Sequence, residues 1–273
     1  MLNNIPIVTK NILIINILVY VVTVIDFQSG GGLHDLLAGH FINSPLFQPF
    51  QVVTHMFSHS LDGIFHILFN MLVLVMFGSH LERVWGAKRF FIFYFSAGIG
   101  AFLLYNTIGF FPIAEMKQQL LSMGNSPHHL EKIVKDGIFW DLFYYKGDLS
   151  ETNKYFYNLY QQGFISENTY NNPSAFIEYI NYSNRSMVGA SGAIFGLLAA
   201  FAVLFPNTEL MLLFPPIPIK AKYLIGGYLV YEIYMSFFST KIDNIAHLAH
   251  VGGAIVGIVF VLYWRRTDRR NFY

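Results

Sequence analysis

Long apolar runs separated by short polar connections set the pattern of this chain. A membrane core about 30 Å thick takes roughly 20 mostly apolar residues in a helix. Six stretches meet or approach this length: Ile12–Ile25 (extended backward through Ile5), Ile64–Leu81, Phe90–Phe111, Met187–Phe205, Tyr223–Phe238 and Ile245–Trp264. Because lipid cannot hydrogen-bond to an open backbone, each stretch is predicted to be a helix. The pattern therefore predicts an all-α, polytopic membrane protein with six transmembrane helices.

The positions of Lys and Arg predict the orientation of these helices, since short cytoplasmic loops are rich in basic residues. The basic residues in or beside short connections fall on one side: Lys10, Arg83, Lys88, Arg89, Lys220, Lys222, Arg265, Arg266, Arg269 and Arg270. The long connection from Asp26 to Gly63 contains no Lys or Arg. Both termini are therefore predicted to be cytoplasmic. The first span lacks a small-residue cleavage site and is expected to be retained.

Composition narrows the possible function classes. Apolar and aromatic residues make up 54% of the 273 residues and charged residues only 12%, against about 25% charged in soluble domains. A net charge of +1 gives no indication of nucleic-acid binding, which needs a concentrated basic face. The absence of cysteine excludes disulfides, thiolate metal sites and a cysteine nucleophile. We expect a lipid bilayer as the surroundings, and neither a cofactor nor a metal.

The informative polar residues lie inside the predicted spans, where each is costly without a partner or a function. His66 and Asn70 share one face of span two, Ser191 lies near the start of span four, and His250 lies near the start of span six. These three spans run from outside to inside, so the four side chains are expected at a similar depth. Taken singly, each has a structural interpretation: the small residues Gly189–Gly192, for example, can pack helices.

Together these groups can hydrolyse a peptide bond, which needs a nucleophile, a base and donors for the developing oxyanion. Ser191 can supply the hydroxyl and His250 the base. Gly189 and its small neighbours would let a substrate backbone approach closely. His66, Asn70 and the backbone amide of Ser191 can donate to the oxyanion. The combination on three spans favours an active site over separate packing contacts.

Two further ionisable residues leave alternatives open. His247 lies three residues before His250, on nearly the same helix face, and is a competing base. Glu232, in span five, either pairs with a hydroxyl or basic residue toward the inner half or lines a water path or substrate gate. The acidic residue close to His250 in sequence is Asp243, which is expected in an outer loop. We therefore expect a Ser–His dyad without a carboxylate that orients the histidine.

Four motifs, in this order along the chain, resemble the rhomboid family of intramembrane serine proteases. They are His66–Asn70, the turn Gly78–Gly86, Gly189–Gly192, and Ala249-His250 followed by Gly253 and Gly257. The resemblance covers residues 46–111 and 187–264. It implies that Ser191 and His250 form a catalytic dyad, that His66 and Asn70 line the oxyanion hole, and that Phe195 packs its ring against the histidine. The matching glycines, which would let span six approach span four, are Gly192, Gly253 and Gly257.

The resemblance also implies a substrate class. The enzyme would cut single-span transmembrane proteins near the outer membrane face, with span five and the outer loop Ser239–Asn244 as the gate. A bacterial inner membrane is the expected location because the chain is compact and shows no targeting extension, and an organelle membrane is the alternative. The alternative is a catalytically inactive relative that binds transmembrane clients, which the presence of Ser191 and His250 disfavours. A zinc protease is disfavoured because no His-Glu-x-x-His occurs, and an intramembrane aspartyl protease because the six spans contain no Asp.

The domain organisation follows from the spans. Residues 1–111 would carry spans one to three with the outer loop 26–63, and residues 187–273 would carry spans four to six and a basic cytoplasmic tail. Residues 1–111 and 187–264 would form one rhomboid domain. Between them, residues 112–186 are predicted to form a helical insert outside the membrane. The helix signals in this insert are Ser126-Pro127, Asn172-Pro173, and Ser150 followed by Gly163.

Overall fold

A computed structural model describes residues 4–138, 149–211, 216–238 and 244–267. The chain forms two compact units. The first unit comprises residues 1–39, 50–105 and 187–273, and the second comprises residues 40–49 and 106–186.

The described residues form mainly helices. In the first part of the chain the elements are α1 (Ile7–Gln28), α2 (Leu33–Leu37), β1 (Gly39–His40), α3 (Gln51–Thr54), α4 (Phe65–Val73), a π-helical turn (Leu74–Gly78), α5 (Ser79–Trp85) and α6 (Ala87–Ser122). Next come α7 (Pro127–Asp136), α8 (Leu149–Gln161), α9 (Glu167–Asn171), α10 (Ser174–Asn184) and β2 (Ser186–Met187). The chain continues with α11 (Ser191–Leu204), β3 (Glu209–Met211), β4 (Pro218–Lys220), α12 (Ala221–Phe238) and α13 (Asn244–Thr267).

Among the described residues, four helical stretches are long and apolar enough to cross a membrane. They are α1, the continuous stretch Phe65–Trp85 that joins α4 to α5, α6, and the part of α13 from His247 to Thr267. The helix α11 is apolar but has only 14 residues, and α12 has 18. Four candidate spans support a polytopic membrane protein, while the count of six spans stays a prediction.

The outward faces of these helices are strongly apolar. Large apolar side chains four residues apart, and therefore on one helix face, are each more than half exposed: Leu18 and Val22 on α1, Phe65 and Phe69 on α4, and Ile255 and Val259 on α13. Contiguous apolar surface of this kind is rare on a protein surrounded by water. The chain is therefore an integral membrane protein, with lipid against these faces.

Helices α11 and α13 cross in close contact because glycines lie at the crossing. A Cβ on Gly253 would overlap the carbonyl oxygen of Gly192. A Cβ on Gly257 would lie 2.5 Å from the carbonyl oxygen of Gly196, where real Cβ contacts are almost never shorter than 3.0 Å. The two backbones therefore touch directly, as small residues allow in membrane helices. The glycines predicted to bring span six against span four do lie at this contact.

Glu82 of α5 fixes the start of α1. Its carboxylate accepts hydrogen bonds from the backbone N–H of Val8 at 2.9 Å and of Thr9 at 2.7 Å, and from the Thr9 hydroxyl at 2.7 Å. The N–H groups of a first helical turn have no intrahelical partner and carry the positive end of the helix dipole. Glu82 is only 4% exposed, so these bonds satisfy its charge and hold α1 against α5.

Two helices have bounds that differ from those of the predicted spans. The helix α6 continues through Pro112 to Ser122 and does not end at Phe111. Proline removes one N–H donor and crowds the preceding helical turn. The residues that follow Pro112 favour continuation of the helix, since they include the strong helix formers Ala114, Glu115, Met116 and Lys117. Span four was predicted from Met187, but α11 begins at Ser191, because the left-handed Gly189 separates it from β2.

In the second unit, the signals for α7 are confirmed. Ser126 precedes Pro127 at the first helical position, and Gly137 ends the helix in the left-handed conformation. The helix α8 ends shortly before Gly163, which has a φ of +73°. Ser150, predicted as its cap, lies inside the first turn instead, since α8 begins one residue earlier. The described residues of this segment are thus mainly helical, while an insert that lies outside the membrane stays a prediction.

The predicted start of α10 is wrong by one position. Pro173, rather than Asn172, is the capping residue. The preceding short helix α9 has an unpredicted side-chain cap, Ser166, whose Oγ accepts from the backbone N–H of Thr169 at 3.2 Å. Asn125 connects this cap to the end of α6: its Nδ2 donates to Thr169 Oγ1 at 2.6 Å and its Oδ1 accepts from the Ser166 N–H at 3.0 Å. These bonds give the second unit a defined polar centre.

Candidate active site

Ser191 is the first residue of α11, and a glycine turn places it there. Gly189 has a φ of +114°, which residues with a Cβ rarely adopt. The Gly189 N–H donates to the carbonyl oxygen of His55 at 2.9 Å, which anchors the turn. The first N–H groups of a helix, that of Ser191 included, have no intrahelical acceptor. They carry the positive end of the helix dipole, so the serine hydroxyl lies beside a region suited to a negative charge.

His250, in the second turn of α13, reaches this serine. Its Nε2 lies 3.0 Å from Ser191 Oγ. The imidazole stacks on the ring of Phe195, one turn after Ser191 on α11, with ring centroids 4.1 Å apart and planes 11° apart. Tyr228 of α12 packs against the same phenyl ring, with centroids 5.1 Å apart. The structure therefore brings together the three residues that the sequence placed in one site, Ser191, His250 and Phe195.

A carboxylate also contacts this histidine. The prediction of a Ser–His dyad in which no carboxylate contacts the histidine is therefore wrong. Glu232 of α12 places its Oε2 2.9 Å from Nδ1 of His250 and 2.7 Å from Nδ1 of His247. The Glu232 side chain is 2% exposed. Glu232 is thus the partner of both histidines rather than of a hydroxyl or basic residue toward the inner half of the membrane. His247, the competing base, bonds Glu232, whereas the bond to Ser191 comes from His250.

The two bonds of His250 also identify the tautomer of its ring. An ionised carboxylate only accepts hydrogen bonds, so Nδ1 of His250 carries the proton. Its Nε2 is then the acceptor that faces the Ser191 hydroxyl. This is the protonation state in which a neutral imidazole can receive a proton from serine.

A sequence signal for Glu232 existed. Spans five and six are consecutive and antiparallel, so residues equally far from the connection lie at equal depth. Glu232 lies six residues before the end of α12 at Phe238, and His250 lies six residues after the start of α13 at Asn244. Counting from the two helix ends would have placed the carboxylate beside the histidine.

His66 of α4 lies next to the glycine turn. Its Nδ1 accepts from the backbone N–H of Ser60 at 3.1 Å, which leaves the proton on Nε2. A Cβ on Gly189 would lie 3.0 Å from His66 Nε2 and 3.7 Å from the backbone nitrogen of Ser191. The missing side chain therefore leaves a space bordered by two N–H donors. Hydrogen-bond donors beside one open space are the kind of groups that stabilise a developing oxyanion.

Asn70 lies one turn after His66 on the same face of α4 and is 7% exposed. Its Nδ2 donates to the His66 carbonyl oxygen at 2.7 Å. An amide nitrogen has two hydrogens, so one remains for another acceptor. Among the described residues, Asn70 has no hydrogen bond to Ser191. The structure thus brings His66 to the glycine turn and leaves Asn70 one helical turn further along.

Two buried histidines support the site from the segment before α4. Burial lowers the pKa of His55 to about 4 and that of His59 to about 4. The His55 Nδ1 lies 2.8 Å from the Gln51 carbonyl oxygen, and its own carbonyl holds Gly189. The His59 ring packs beside the His66 ring, with centroids 5.3 Å apart. Both residues are therefore neutral at neutral pH and act as packed supports.

The cluster of Glu232, His247 and His250 has the residue types of a metal site, and its ligand atoms lie within 4.8 Å of one another. Zinc ligands, each about 2.0–2.1 Å from the metal in a tetrahedron, lie roughly 3.3 Å apart. The observed N···O distances of 2.7 and 2.9 Å are those of hydrogen bonds. The arrangement fits two imidazole N–H groups that donate to one carboxylate oxygen.

The fold and the site define a class: a polytopic helical membrane protein with a serine and a histidine in hydrogen-bonding contact at a helix N-terminus. A model of the Rhomboid domain matches residues 46–126 and 156–267. The chain therefore belongs to the rhomboid family, which confirms the predicted resemblance.

Comparison with known proteins adds a distant relative. An uncharacterized mitochondrial rhomboid protein of Schizosaccharomyces pombe is 25% identical over 226 residues, which cover 80% of this chain and 52% of the relative. The chain thus spans about half the length of the curated relative it matches. No solved structure matches the chain.

Proposed function

We propose that this rhomboid protein is an intramembrane serine endopeptidase in which Ser191 is the nucleophile and His250 is the general base. The observation that carries the proposal is the 3.0 Å contact between Ser191 Oγ and His250 Nε2, made by two side chains from different helices of a membrane protein. Rhomboid proteins are generally proteases, although the family includes inactive members. A hydroxyl paired with a neutral imidazole is the arrangement that activates serine for acyl transfer.

The proposed reaction has two halves. Ser191 Oγ attacks the carbonyl carbon of the scissile peptide bond while its proton passes to Nε2 of His250. The C–N bond then breaks as His250 gives that proton to the leaving amine. A water molecule, deprotonated by the same Nε2, hydrolyses the acyl-enzyme and regenerates Ser191. No cofactor takes part in these steps.

The oxyanion formed in each half needs hydrogen-bond donors. The backbone N–H of Ser191 and the Nε2–H of His66 border the space that Gly189 leaves open, and we assign both to the oxyanion. The second N–H of Asn70 is a third donor for this role. Phe195 holds the plane of the His250 ring, so that Nε2 keeps its direction toward Ser191.

The proposed substrates are single-span transmembrane proteins, cut near the outer face of the membrane. The helix α12 and the connection after it form the proposed gate, although residues 239–243 of the predicted loop lie outside the described residues. We further propose that both termini are cytoplasmic, in a bacterial inner membrane. Because the chain has no cysteine, single cysteines introduced at Lys10 and Arg270 test this orientation, and labelling of either by an impermeant thiol reagent added outside intact cells would contradict it.

The function is tested with the purified protein in detergent. The wild type, Ser191→Ala and His250→Ala are treated with a fluorophosphonate probe and assayed against a model transmembrane substrate. Labelling and cleavage by the wild type, both lost in the two variants, are the expected results. In His247→Ala, the bond between His250 and Ser191 is retained, so labelling should persist. A folded wild type that neither reacts with the probe nor cleaves would favour the inactive, client-binding alternative.

A further inference from the structure

We propose that Glu232 is a positioning residue of this active site, which makes the catalytic pair into a hydrogen-bonded series from Glu232 through His250 to Ser191. The inference rests on the proposed function, since it concerns how His250 acts as a base. The carboxylate holds the histidine in one tautomer and one ring orientation.

The geometry supports this role at each atom of the imidazole. Glu232 Oε2 accepts from Nδ1 at 2.9 Å, and Ser191 Oγ lies 3.0 Å from Nε2, on the opposite side of the ring. The ring face lies against Phe195 at 4.1 Å. His250 is therefore held along its edge by the carboxylate and on its face by the phenyl ring. Without Glu232, the ring could turn about its Cβ–Cγ bond, and either nitrogen could carry the proton.

His247 fixes the carboxylate in turn. Its Nδ1 donates to the same Oε2 at 2.7 Å, so Glu232 is bonded by both histidines. An acidic residue buried among apolar helices is costly unless it is paired, and the two imidazole N–H groups are the partners that keep it there. One of the two is the proposed base.

The carboxylate also matters during the reaction. When Nε2 takes the proton of Ser191, the His250 ring becomes positively charged. A negative charge 2.9 Å from its other nitrogen stabilises that state, and it does so without becoming protonated. Glu232 thus acts through His250 and does not touch the substrate.

The test compares Glu232→Ala, Glu232→Gln and Glu232→Asp with the wild type on a model transmembrane substrate. Removal of the carboxylate in the Ala and Gln variants is expected to lower kcat about 10²- to 10⁴-fold, with KM changed less than about threefold. The Asp variant keeps the charge, one methylene further away, and should retain at least about tenfold more activity than the Ala variant.

Ser236→Ala is the matched control. Ser236 lies one turn later on α12, is buried, and donates its hydroxyl to the backbone carbonyl of Glu232 at 2.7 Å. The substitution perturbs the same helical turn and spares the carboxylate, so activity should stay at the wild-type level. Two results would overturn the proposal: a Glu232→Ala variant with wild-type kcat, or an equal loss of kcat in Ser236→Ala.

A spectroscopic measurement tests the contact without turnover. In protein labelled with ¹⁵N-histidine and carrying Ser191→Ala, the Nδ1–H of His250 should give a resolved downfield proton resonance, because a hydrogen bond to a carboxylate deshields the proton and slows its exchange. Glu232→Gln should shift or abolish that resonance, and its persistence unchanged would refute the contact. If the wild type cleaves nothing while the Ser191→Ala protein shows this resonance, the result would count against the proposed function alone.

Discussion

Replacing Gly253 by alanine tests whether the glycine crossing of α11 and α13 sets the distance between the serine and the histidine. At Gly257, a Cβ would lie 2.5 Å from the Gly196 carbonyl oxygen, against an ordinary contact of about 3.5 Å. The Cβ of Gly253→Ala would come closer still, since it would overlap the Gly192 carbonyl oxygen, so this substitution would push the two helices apart by at least about 1 Å at Gly253.

His250 moves with this crossing, since it lies three residues from Gly253, or about 4.5 Å along the helix. A displacement of about 1 Å would stretch its 3.0 Å contact with Ser191 beyond hydrogen-bonding distance. A misplacement of this size lowers the reaction rate by a factor of about 10². This corresponds to an increase of roughly 2.7 kcal/mol in the activation free energy. Gly253→Ala should therefore cleave a transmembrane substrate about 100-fold more slowly than the wild type.

The control for this substitution is Gly227→Ala, in the middle of α12. A Cβ at Gly227 would have nothing within 4 Å, and alanine favours a helix over glycine by about 1 kcal/mol. Cleavage and probe labelling by this variant should equal those of the wild type. If Gly253→Ala, shown to be folded by its thermal transition, cleaved within about threefold of the wild type, the link between the crossing and the Ser191–His250 distance would be refuted.

Three further predictions concern the glycine turn, the anchor of α1 and the buried histidines. Gly189→Ala should abolish detectable cleavage, since alanine is strained at a φ of +114° and its Cβ would lie 3.0 Å from His66 Nε2. Near-normal turnover would show that the reaction does not use the space between His66 and the Ser191 N–H. Glu82→Ala should lower the free energy of unfolding by about 2–3 kcal/mol, because three hydrogen bonds to a buried carboxylate are lost, two of them buried and one part-buried. Denaturation in detergent measures this loss, and an unchanged midpoint would contradict it. The folded pKa values of His55 and His59, about 4 each, lie below the unfolded value of about 6.5. The unfolded chain therefore binds more protons than the folded chain between pH 6.5 and 4. As the pH is lowered through that window, the free energy of unfolding should fall by up to about 3 kcal/mol for each histidine. Equal unfolding midpoints at pH 7 and pH 4.5 would refute the burial of both histidines in the neutral form.

The sequence predicted much of the site because membrane topology limits where residues can meet. His66, Ser191 and His250 each lie near the outer start of an inward-running predicted span, so a shared depth followed from the order of the spans alone. The resemblance to the rhomboid family then supplied Phe195 and the glycines of the helix crossing. Both features depend on residue spacing within single helices, which sequence carries directly.

What the sequence did not predict depends on contacts between helices and on local backbone conformation. Glu232 lies 18 residues from His250, and its role required the relative depth of two neighbouring helices. The late start of α11 depends on the φ of Gly189, and the extension of α6 through Pro112 depends on the helix-forming residues that follow it. Apolar periodicity alone predicts none of these three features. For Glu232, the available signal was its distance from the connection between spans five and six, which matches that of His250.

The central claim is that Ser191 is a nucleophile activated by His250. It is tested most directly by labelling the folded protein with the fluorophosphonate, digesting it, and locating the adduct among the peptides by mass spectrometry. The account predicts one adduct, on the peptide that contains Ser191, and its loss in both Ser191→Ala and His250→Ala. An adduct on another residue, or modification of Ser191 at an undiminished rate in His250→Ala, would contradict it.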